Sequence, residues 1–300
     1  MQLVVYILAY PVVWLLSRLP FRILYLFSDF VFFLLYTLIG YRKKVVWNNL
    51  KLVFPEKSDE ELKRIQRKFY GHLCDTFLEM VKPWHMSAEE MKRRYKIKNM
   101  EVVAAIEKEK TILVPCAHYA NWEWNSSLNM YFNAKGYAVY QKIGNPYFDK
   151  LIKKIRGKWH TNLITQQETV KTVLVNEKKG IKGIFGMVSD QSPQMSKAQY
   201  WQEFMGIRVP IHNGAEILAR KFDLAVVFLK VTKVKRGFYE AEFIPITTSG
   251  KNTEPNYIID TFLDLTEKQI KEAPEYYLWT HRRWKHRHKE HQKKKVKTRL

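Results

Sequence analysis

The stretch that decides the fold reads Thr-Ile-Leu-Val-Pro-Cys-Ala-His-Tyr-Ala-Asn-Trp-Glu and occupies residues 111–123. Residues 111–116 form a short apolar run bounded by polar residues, which is typical of an interior strand. His118 and Glu123 follow at the point where that strand reaches the surface. Because an α/β sheet carries its chemistry at the carboxyl ends of its strands, the sequence predicts a functional site here.

The spacing of this pair restricts its geometry. In one unbroken helix, residues at this separation would point about 140° away from each other. They can meet if His118 lies on the turn after the strand and Glu123 lies in the first turns of a helix that begins near Asn121. The carboxylate would then accept a hydrogen bond from one ring nitrogen, and the other nitrogen would act as a general base. We therefore expect a His118–Glu123 pair that resembles two members of a catalytic triad.

The third member of a triad is missing from the sequence. No Gly-x-Ser-x-Gly elbow precedes a helix, so a covalent serine mechanism has no support. Cys116 lies on the same strand face as His118, but an unactivated cysteine behaves as a small buried hydrophobe. Without a protein nucleophile, His118 must deprotonate a hydroxyl of one substrate for direct attack on the other. The alternative is a histidine that is merely hydrogen-bonded at a strand end.

Composition narrows the class of protein. Lys and Arg outnumber Asp and Glu by 51 to 29, and the net charge of +22 indicates an anionic partner. The two cysteines, Cys74 and Cys116, argue against a disulfide framework and fit a reducing compartment. No linker or repeat interrupts residues 42–286, which we interpret as one globular domain.

Two apolar segments at the amino terminus predict contact with a membrane. Residues 3–16 carry no charge, and residues 23–39 carry only Asp29. We interpret residues 1–41 as a membrane anchor, in which a tilted span, a short hairpin and a re-entrant segment all remain possible. The basic residues 42–44 favour a cytoplasmic position for the domain that follows.

The carboxyl-terminal tail is the second concentration of charge. Residues 281–300 contain ten Lys or Arg residues, four histidines and one acid. Such a run can be a nucleic-acid arm or a solvated chain end, but beside a membrane anchor, anionic headgroups are the favoured counter-charge. We interpret residues 287–300 as a basic tail and expect neither nucleic acid nor a bound metal.

Helices and strands alternate between the two ends. Ser58 with Glu61 predicts a capping box that opens a helix to about Lys82. The alternation predicts an α/β fold with a mixed, largely parallel central sheet covered by helices. Strands are expected at 111–116, 137–141, 162–165, 183–188, 224–231 and 238–246, and further helices at 121–134, 146–156, 168–178 and 213–221.

Several blocks of the chain together resemble a known family. His-x-x-x-x-Glu after an apolar strand is similar to the motif of the lysophospholipid acyltransferase superfamily, in the version carried by bacterial lipid A late acyltransferases. The segment 48–55, Asp190-Gln191, the Phe-Met-Gly at 204–206 and the Trp-Thr-His-Arg-Arg at 279–283 resemble further family blocks in the same order. Met205 replaces the usual second Phe of its block.

The resemblance implies a glycerolipid acyltransferase-like fold and a set of substrate-contacting residues. Arg156 would hold a phosphate of the acceptor through bidentate contacts, and its alternative is a solvated basic helix end. Asp190 would orient the acceptor or brace Arg156, unless it is only a turn residue. Gln191 and Asn121 are further expected substrate contacts, and residues 122, 124, 148 and 185 are expected to line an acyl pocket.

The function implied by this resemblance is O-acyl transfer at the bacterial inner membrane, with the catalytic domain on the cytoplasmic side. The donor would be an acyl carrier protein thioester, the acceptor a hydroxyl of a lipid A precursor, and no cofactor would be needed. An acceptor of another class, such as a lysophospholipid, a lyso-aminolipid or another glycolipid, is the alternative. A basic membrane-tethered nucleic-acid or adaptor protein would leave the family blocks unexplained.

Overall fold

The strand that carries the motif lies near the centre of a seven-stranded sheet. In the computed structural model, which describes residues 1–290, the order across this sheet is β1-β9-β8-β2-β5-β3-β4. All neighbours are parallel except β8 and β9, so the predicted mixed, largely parallel α/β fold is confirmed. The strands of this sheet are β1 (Tyr95–Ile97), β2 (Ile112–Cys116), β3 (Lys135–Tyr140), β4 (Asn162–Thr165), β5 (Gly183–Val188), β8 (Ala225–Lys235) and β9 (Phe238–Thr247); β6 (Tyr200–Phe204) and β7 (Ile207–Ile211) form a separate hairpin.

Helices cover the sheet and extend the chain at its amino terminus. The capping box predicted at Ser58 is present, since its hydroxyl accepts from the Glu61 backbone and the Glu61 side chain accepts from the Ser58 backbone. The helices are α1 (Gln2–Arg18), α2 (Phe21–Phe32), α3 (Lys43–Val53), α4 (Asp59–Glu79), α5 (Ala88–Arg94), α6 (Met100–Ile106), α7 (Pro146–Arg156), α8 (Gln166–Lys178), α9 (Gly214–Phe222) and α10 (Tyr257–Glu272).

Strand β2 is apolar because it is covered on both faces. It pairs with β5 on one side and β8 on the other, and all of its residues are buried. Cys116 pairs with Val188 at the carboxyl ends of β2 and β5, so the residues that follow these two strands emerge side by side. This register defines the edge of the sheet at which the predicted site lies.

The segment after β2 differs from the expected α-helix. It is a 3-10 helix, Trp122–Met130. The hydroxyls of Ser126 and Ser127 bond the carbonyls three residues earlier, at 3.3 and 2.7 Å, which favours the tighter winding. The predicted segments also omit β1, the β6–β7 hairpin and the helices α3, α5, α6 and α10. Helix α10 nevertheless carries a helical pattern of buried residues, at Ile258, Ile259, Phe262, Leu263, Thr266 and Ile270.

The two amino-terminal helices pack against the domain. Helix α1 reaches α7, where the Asn145 amide donates to the Gln2 carbonyl at 3.1 Å. Helix α2 packs alongside α4, where the Ser28 hydroxyl donates to Asp75 Oδ1 at 2.8 Å. Helix α2 continues as a π-helix over Phe33–Ile39, and the two together form one helix, Phe21–Ile39. Judged by length and composition alone, this helix could cross a membrane. Of the predicted basic tail 287–300, residues 291–300 lie outside the described residues.

One close backbone approach yields a stability prediction. The Cα of Gly250 lies against α9, and a Cβ there would overlap the carbonyl group of Ala219. Gly250→Ala should lower the free energy of unfolding by about 1–3 kcal/mol, because the backbone cannot move aside without disturbing α9. Gly71, inside α4, has open space around its Cα, so Gly71→Ala should instead raise the free energy of unfolding by about 0.5–1 kcal/mol. Denaturant unfolding measures this free energy for both variants. A Gly250→Ala protein as stable as Gly71→Ala would contradict the close packing at Gly250.

Candidate active site

His118 is bonded to Asp190, and two strand ends bring them together. The backbone N–H of His118 donates to Asp190 Oδ1 at 3.1 Å, and the same oxygen lies 2.7 Å from His118 Nδ1. His118 follows β2 and Asp190 follows β5, and the Ser189 N–H donates to the Cys116 carbonyl at 3.0 Å, which extends the ladder between them. Asp190 is only 2% exposed. The imidazole is thus held in one orientation by a buried carboxylate.

The electrostatics of this pair favour a charged imidazole. Burial by itself lowers the pKa of His118, but the charge and hydrogen bond of Asp190, aided by the charge of Glu123, raise that pKa above its usual value. Burial alone would raise the pKa of Asp190, and the charge and hydrogen bonds of His118 lower it instead. Asp190 therefore stays ionised and His118 is a stronger base than a free histidine.

Glu123 does not bond His118, which corrects the geometry expected from the sequence. Its carboxylate accepts from Arg156 Nε at 2.9 Å and Nη2 at 2.8 Å, and from the Trp122 indole at 3.1 Å. The planar guanidinium fork matches both carboxylate oxygens, so Arg156 takes the carboxylate that was expected beside His118. Asp190 was expected to orient the acceptor or to brace Arg156, but its carboxylate instead bonds the His118 ring.

Arg156 and Gln191 both face the cavity beside His118. Two of the Arg156 nitrogens are bound to Glu123, and within residues 1–290 no other group bonds its remaining N–H groups, which leaves them to a ligand. The Gln191 amide nitrogen lies 3.4 Å from His118 Nε2. This ring nitrogen therefore points toward the cavity.

The position of Asn121 contradicts the expectation that it contacts substrate. Its side chain is fully buried and does not line the cavity. It donates to Glu79 at 2.7 Å and caps the backbone N–H of Trp124 at 3.2 Å. Asn121 therefore fixes the start of the 3-10 helix that carries Glu123.

Glu79 is a buried residue of this region that the sequence analysis missed. Its carboxylate accepts from Asn121, Tyr239 and Tyr25, each at 2.7 Å. It is completely buried, and burial raises its pKa. The only hint in the sequence is an acid in the last turn of a helix, where the helix dipole disfavours negative charge.

The carboxyl-terminal block braces the histidine turn. The backbone N–H of Leu278 donates to the His118 carbonyl at 3.0 Å, and that of Ala120 donates to the Tyr276 carbonyl at 3.0 Å. The Asn49 amide in turn donates to the Trp279 carbonyl at 2.8 Å. Blocks that are far apart in the sequence therefore converge on one turn.

Cys116 has the properties of a buried thiol and not of a nucleophile. It is 5% exposed, and burial followed by the charge of Asp190 raises its pKa to about 12. A thiol in this state carries almost no thiolate at neutral pH.

A cavity of about 700 Å³ opens beside His118. Its polar lining includes His118, Glu123, Arg156 and Gln191, and its apolar lining is contributed by Val114, Leu128, Phe132, Ile184, Leu229 and Phe243. Of the aromatic residues expected here, Trp122 does line it. Trp124 is fully buried, Phe148 packs on Tyr6 of α1, and Phe185 stacks on Tyr137 at 4.5 Å. These three side chains do not line the cavity, because Trp124 and Phe185 are buried in the core and Phe148 is half-buried against α1.

The chain is similar over most of its length to known proteins. The chain is 24% identical over 276 residues to a lipid A biosynthesis lauroyltransferase of Escherichia coli K12, an alignment that covers 91% of this chain and 89% of the relative. It is 23% identical over 278 residues to a lipid A biosynthesis palmitoleoyltransferase of the same organism, with the same coverage of both chains. A lipid A biosynthesis acyltransferase 2 of Shigella flexneri is 21% identical over 237 residues, which are 77% of this chain and 74% of the relative.

The match to a family model is nearly as long as the chain. It covers residues 2–286, and the description of that family is bacterial lipid A biosynthesis acyltransferase. The match includes the strand β2, His118, Asp190 and the carboxyl-terminal brace. The chain therefore belongs to the bacterial lipid A biosynthesis acyltransferase family and is an acyltransferase.

Proposed function

We propose that this acyltransferase moves a fatty acyl chain from the thioester of an acyl carrier protein to a hydroxyl of a lipid A precursor. The proposal depends on one observation: His118 is bonded to a buried carboxylate and faces a cavity whose lining has a polar part and an apolar part. The family membership supports the acceptor class.

In the proposed reaction His118 is the general base. Its Nδ1–H donates to Asp190, so Nε2 takes the proton of the acceptor hydroxyl as the oxygen attacks the thioester carbonyl. The tetrahedral oxyanion then collapses, the C–S bond breaks, and the imidazolium returns its proton to the departing thiolate. Direct attack is favoured over a covalent route because Cys116 is a neutral buried thiol.

Arg156 is proposed to bind the anionic part of the acceptor. Glu123 holds the guanidinium at the cavity by two hydrogen bonds, and the free N–H groups suit a phosphate on the sugar. Glu123 would thus act on His118 through its charge and on the acceptor through Arg156. Gln191, which lies beside Nε2, would be displaced when the hydroxyl approaches.

The apolar part of the cavity suits the acyl chain. Leu229 and Phe243 pair across β8 and β9, and Phe132 packs against Phe243 with ring centroids 6.1 Å apart. A bound acyl chain would replace water against these side chains, at about 0.8 kcal/mol for each buried methylene. Lys142 and Lys197 at the cavity, with the net charge of +22, suit an acidic carrier protein as donor.

We further propose that α1 and α2 attach the protein to the cytoplasmic face of the inner membrane without crossing it. Asp29 lies near the middle of Phe21–Ile39, its side chain is 60% exposed, and it pairs with Arg236 at 2.6 Å. A span would carry this pair, and the charged helix α4 packed beside it, into hydrocarbon, at about 3 kcal/mol for each charge. An in-plane position instead buries only the exposed apolar side chains, which include Leu15, Ile23, Leu26, Phe30, Phe33 and Leu38.

Acceptor preference tests the proposed function. Purified protein given one acyl carrier protein thioester should acylate a phosphorylated lipid A precursor far faster than lysophosphatidate or a lyso-aminolipid. Arg156→Lys keeps the charge but loses the two-point grip on Glu123, so kcat/KM for the phosphorylated precursor should fall by about tenfold or more. Mass spectrometry of the products measures both. Preference for either single-headgroup lipid would contradict the acceptor and spare the acyl transfer.

The His118–Asp190 pair makes a second prediction. His118→Ala should lower kcat by about a hundred- to ten-thousand-fold, and Asp190→Asn should produce a loss of the same order, since the ring loses its fixed orientation. Cys116→Ala is the control and should leave kcat nearly unchanged, with circular dichroism confirming that all three variants fold. Turnover that survives Asp190→Asn but not Glu123→Gln would instead favour the His118–Glu123 pairing.

A further inference from the structure

A second cavity, of about 580 Å³, lies at the turn between α1 and α2. Arg18, Leu19, Lys82, His85 and Ser87 contribute to its lining. It shares no lining residue with the cavity beside His118. The family blocks that converge on His118 assign no role to it.

Positive charge surrounds this second cavity. The Lys82 ammonium donates to the carbonyls of Ser17 at 2.9 Å and Leu19 at 2.6 Å, which fixes a buried cation at the end of α1. The Lys158 ammonium donates to the Met86 carbonyl at 2.6 Å. Burial first, and then the charges of the cations Arg18, Lys158, Lys82 and Lys154, lower the pKa of His85.

Negative charge does not balance these cations within residues 1–290. Among the described residues, Glu90 is the only acid in the lining, and its carboxylate already accepts from Arg93 and from Arg94 Nε. The Arg18 guanidinium lies 4.2 Å from the Trp14 ring and, in the described part of the chain, has no carboxylate partner. An anion bound here would therefore supply missing counter-charge without displacing an ion pair.

The surroundings of the second cavity identify the kind of anion. Leu15 and Ile23, on either side of the turn, are 54% and 49% exposed. An amphiphile with an anionic head and apolar tails matches a cationic cavity flanked by exposed apolar side chains. In the proposed in-plane position of α1 and α2, this turn lies at the depth of the lipid headgroups.

We propose that the second cavity binds the phosphate of a lipid headgroup, with Arg18 and Lys82 in its lining and Lys158 and Lys154 beside it. The Lys154 ammonium lies 5.5 Å from the centre of the Trp84 ring, which stacks on the His85 ring of the cavity. The inference rests on the membrane contact proposed above. The phosphate can belong to an anionic phospholipid of the membrane or to the phosphorylated glycolipid acceptor. Either source presents the same chemistry to the cavity, and the two arms of the test separate them.

The test uses a soluble lipid, so that its result is independent of membrane attachment and of acyl transfer. Dihexanoyl phosphatidylglycerol, kept below its micelle concentration, is titrated into the full chain while the His85 ring is followed by NMR, with dihexanoyl phosphatidylcholine as the uncharged comparison. Arg18→Gln/Lys154→Gln should weaken phosphatidylglycerol binding by about tenfold or more. The control Lys171→Gln/Lys268→Gln removes the same charge from two exposed lysines and should leave binding within about twofold.

A charge-neutral variant distinguishes a cavity from a diffuse basic surface. Leu19→Trp fills the cavity and keeps every cation, so it should also weaken binding by about tenfold. Three outcomes would each overturn the proposed site. The first is wild-type affinity for phosphatidylglycerol in Leu19→Trp. The others are equal losses of affinity in the two double variants, and equal binding of phosphatidylglycerol and phosphatidylcholine.

The second arm identifies the source of the phosphate. KM for the phosphorylated acceptor in neutral detergent is compared between wild type and Arg18→Gln/Lys154→Gln. A raised KM at unchanged kcat assigns the site to the acceptor, and an unchanged KM with weakened phosphatidylglycerol binding assigns it to the membrane phospholipid. Failure of acyl transfer in the wild type would contradict the proposed function and leave the NMR result standing.

Discussion

The hydrogen bond between His118 and Asp190 is the constraint on which the rest of the site depends. It forms because β2 and β5 are parallel neighbours whose carboxyl ends meet at one edge of the sheet. Any slip of register would separate the ring from its carboxylate. The structure resists such a slip through the apolar burial of β2 and through two backbone hydrogen bonds to the carboxyl-terminal block. Leu278 of that block donates to the His118 carbonyl, and Ala120 donates to the Tyr276 carbonyl of that block.

Two carboxylates near one imidazole have different partners, and this division organises the chemistry. Asp190 is buried and bonded to the ring, whereas Glu123 is bonded to a guanidinium at the cavity. Both charges raise the pKa of His118, with Asp190 the larger contributor. The ring is thereby a stronger base, while the Arg156 guanidinium next to it can meet negative charge on a substrate. The His118 base and the Arg156 cation can lie close together because Asp190 bonds the first and Glu123 bonds the second.

The sequence predicted local features well and long-range pairing poorly. The bounds of β4, β5 and α7 agree with the predicted segments because apolar runs and a helix-starting Pro146 mark them locally. The partner of His118 depends on which strand lies beside β2, which no local pattern encodes. Spacing along the chain therefore predicts Glu123, the carboxylate nearer in sequence, and not Asp190. The burial of Asn121 escaped prediction for the same reason, because its partner Glu79 lies on a distant helix.

The tautomer of the neutral His118 ring shows whether Asp190 orients a general base. In NMR spectra of protein labelled with ¹⁵N at histidine, we expect that above its pKa His118 carries its proton on Nδ1, bonded to Asp190, and that Nε2 is unprotonated. We also expect a pKa above the ordinary value of 6.5. A proton on Nε2 in the neutral ring, or a pKa at or below the ordinary value, would contradict a general base oriented by Asp190.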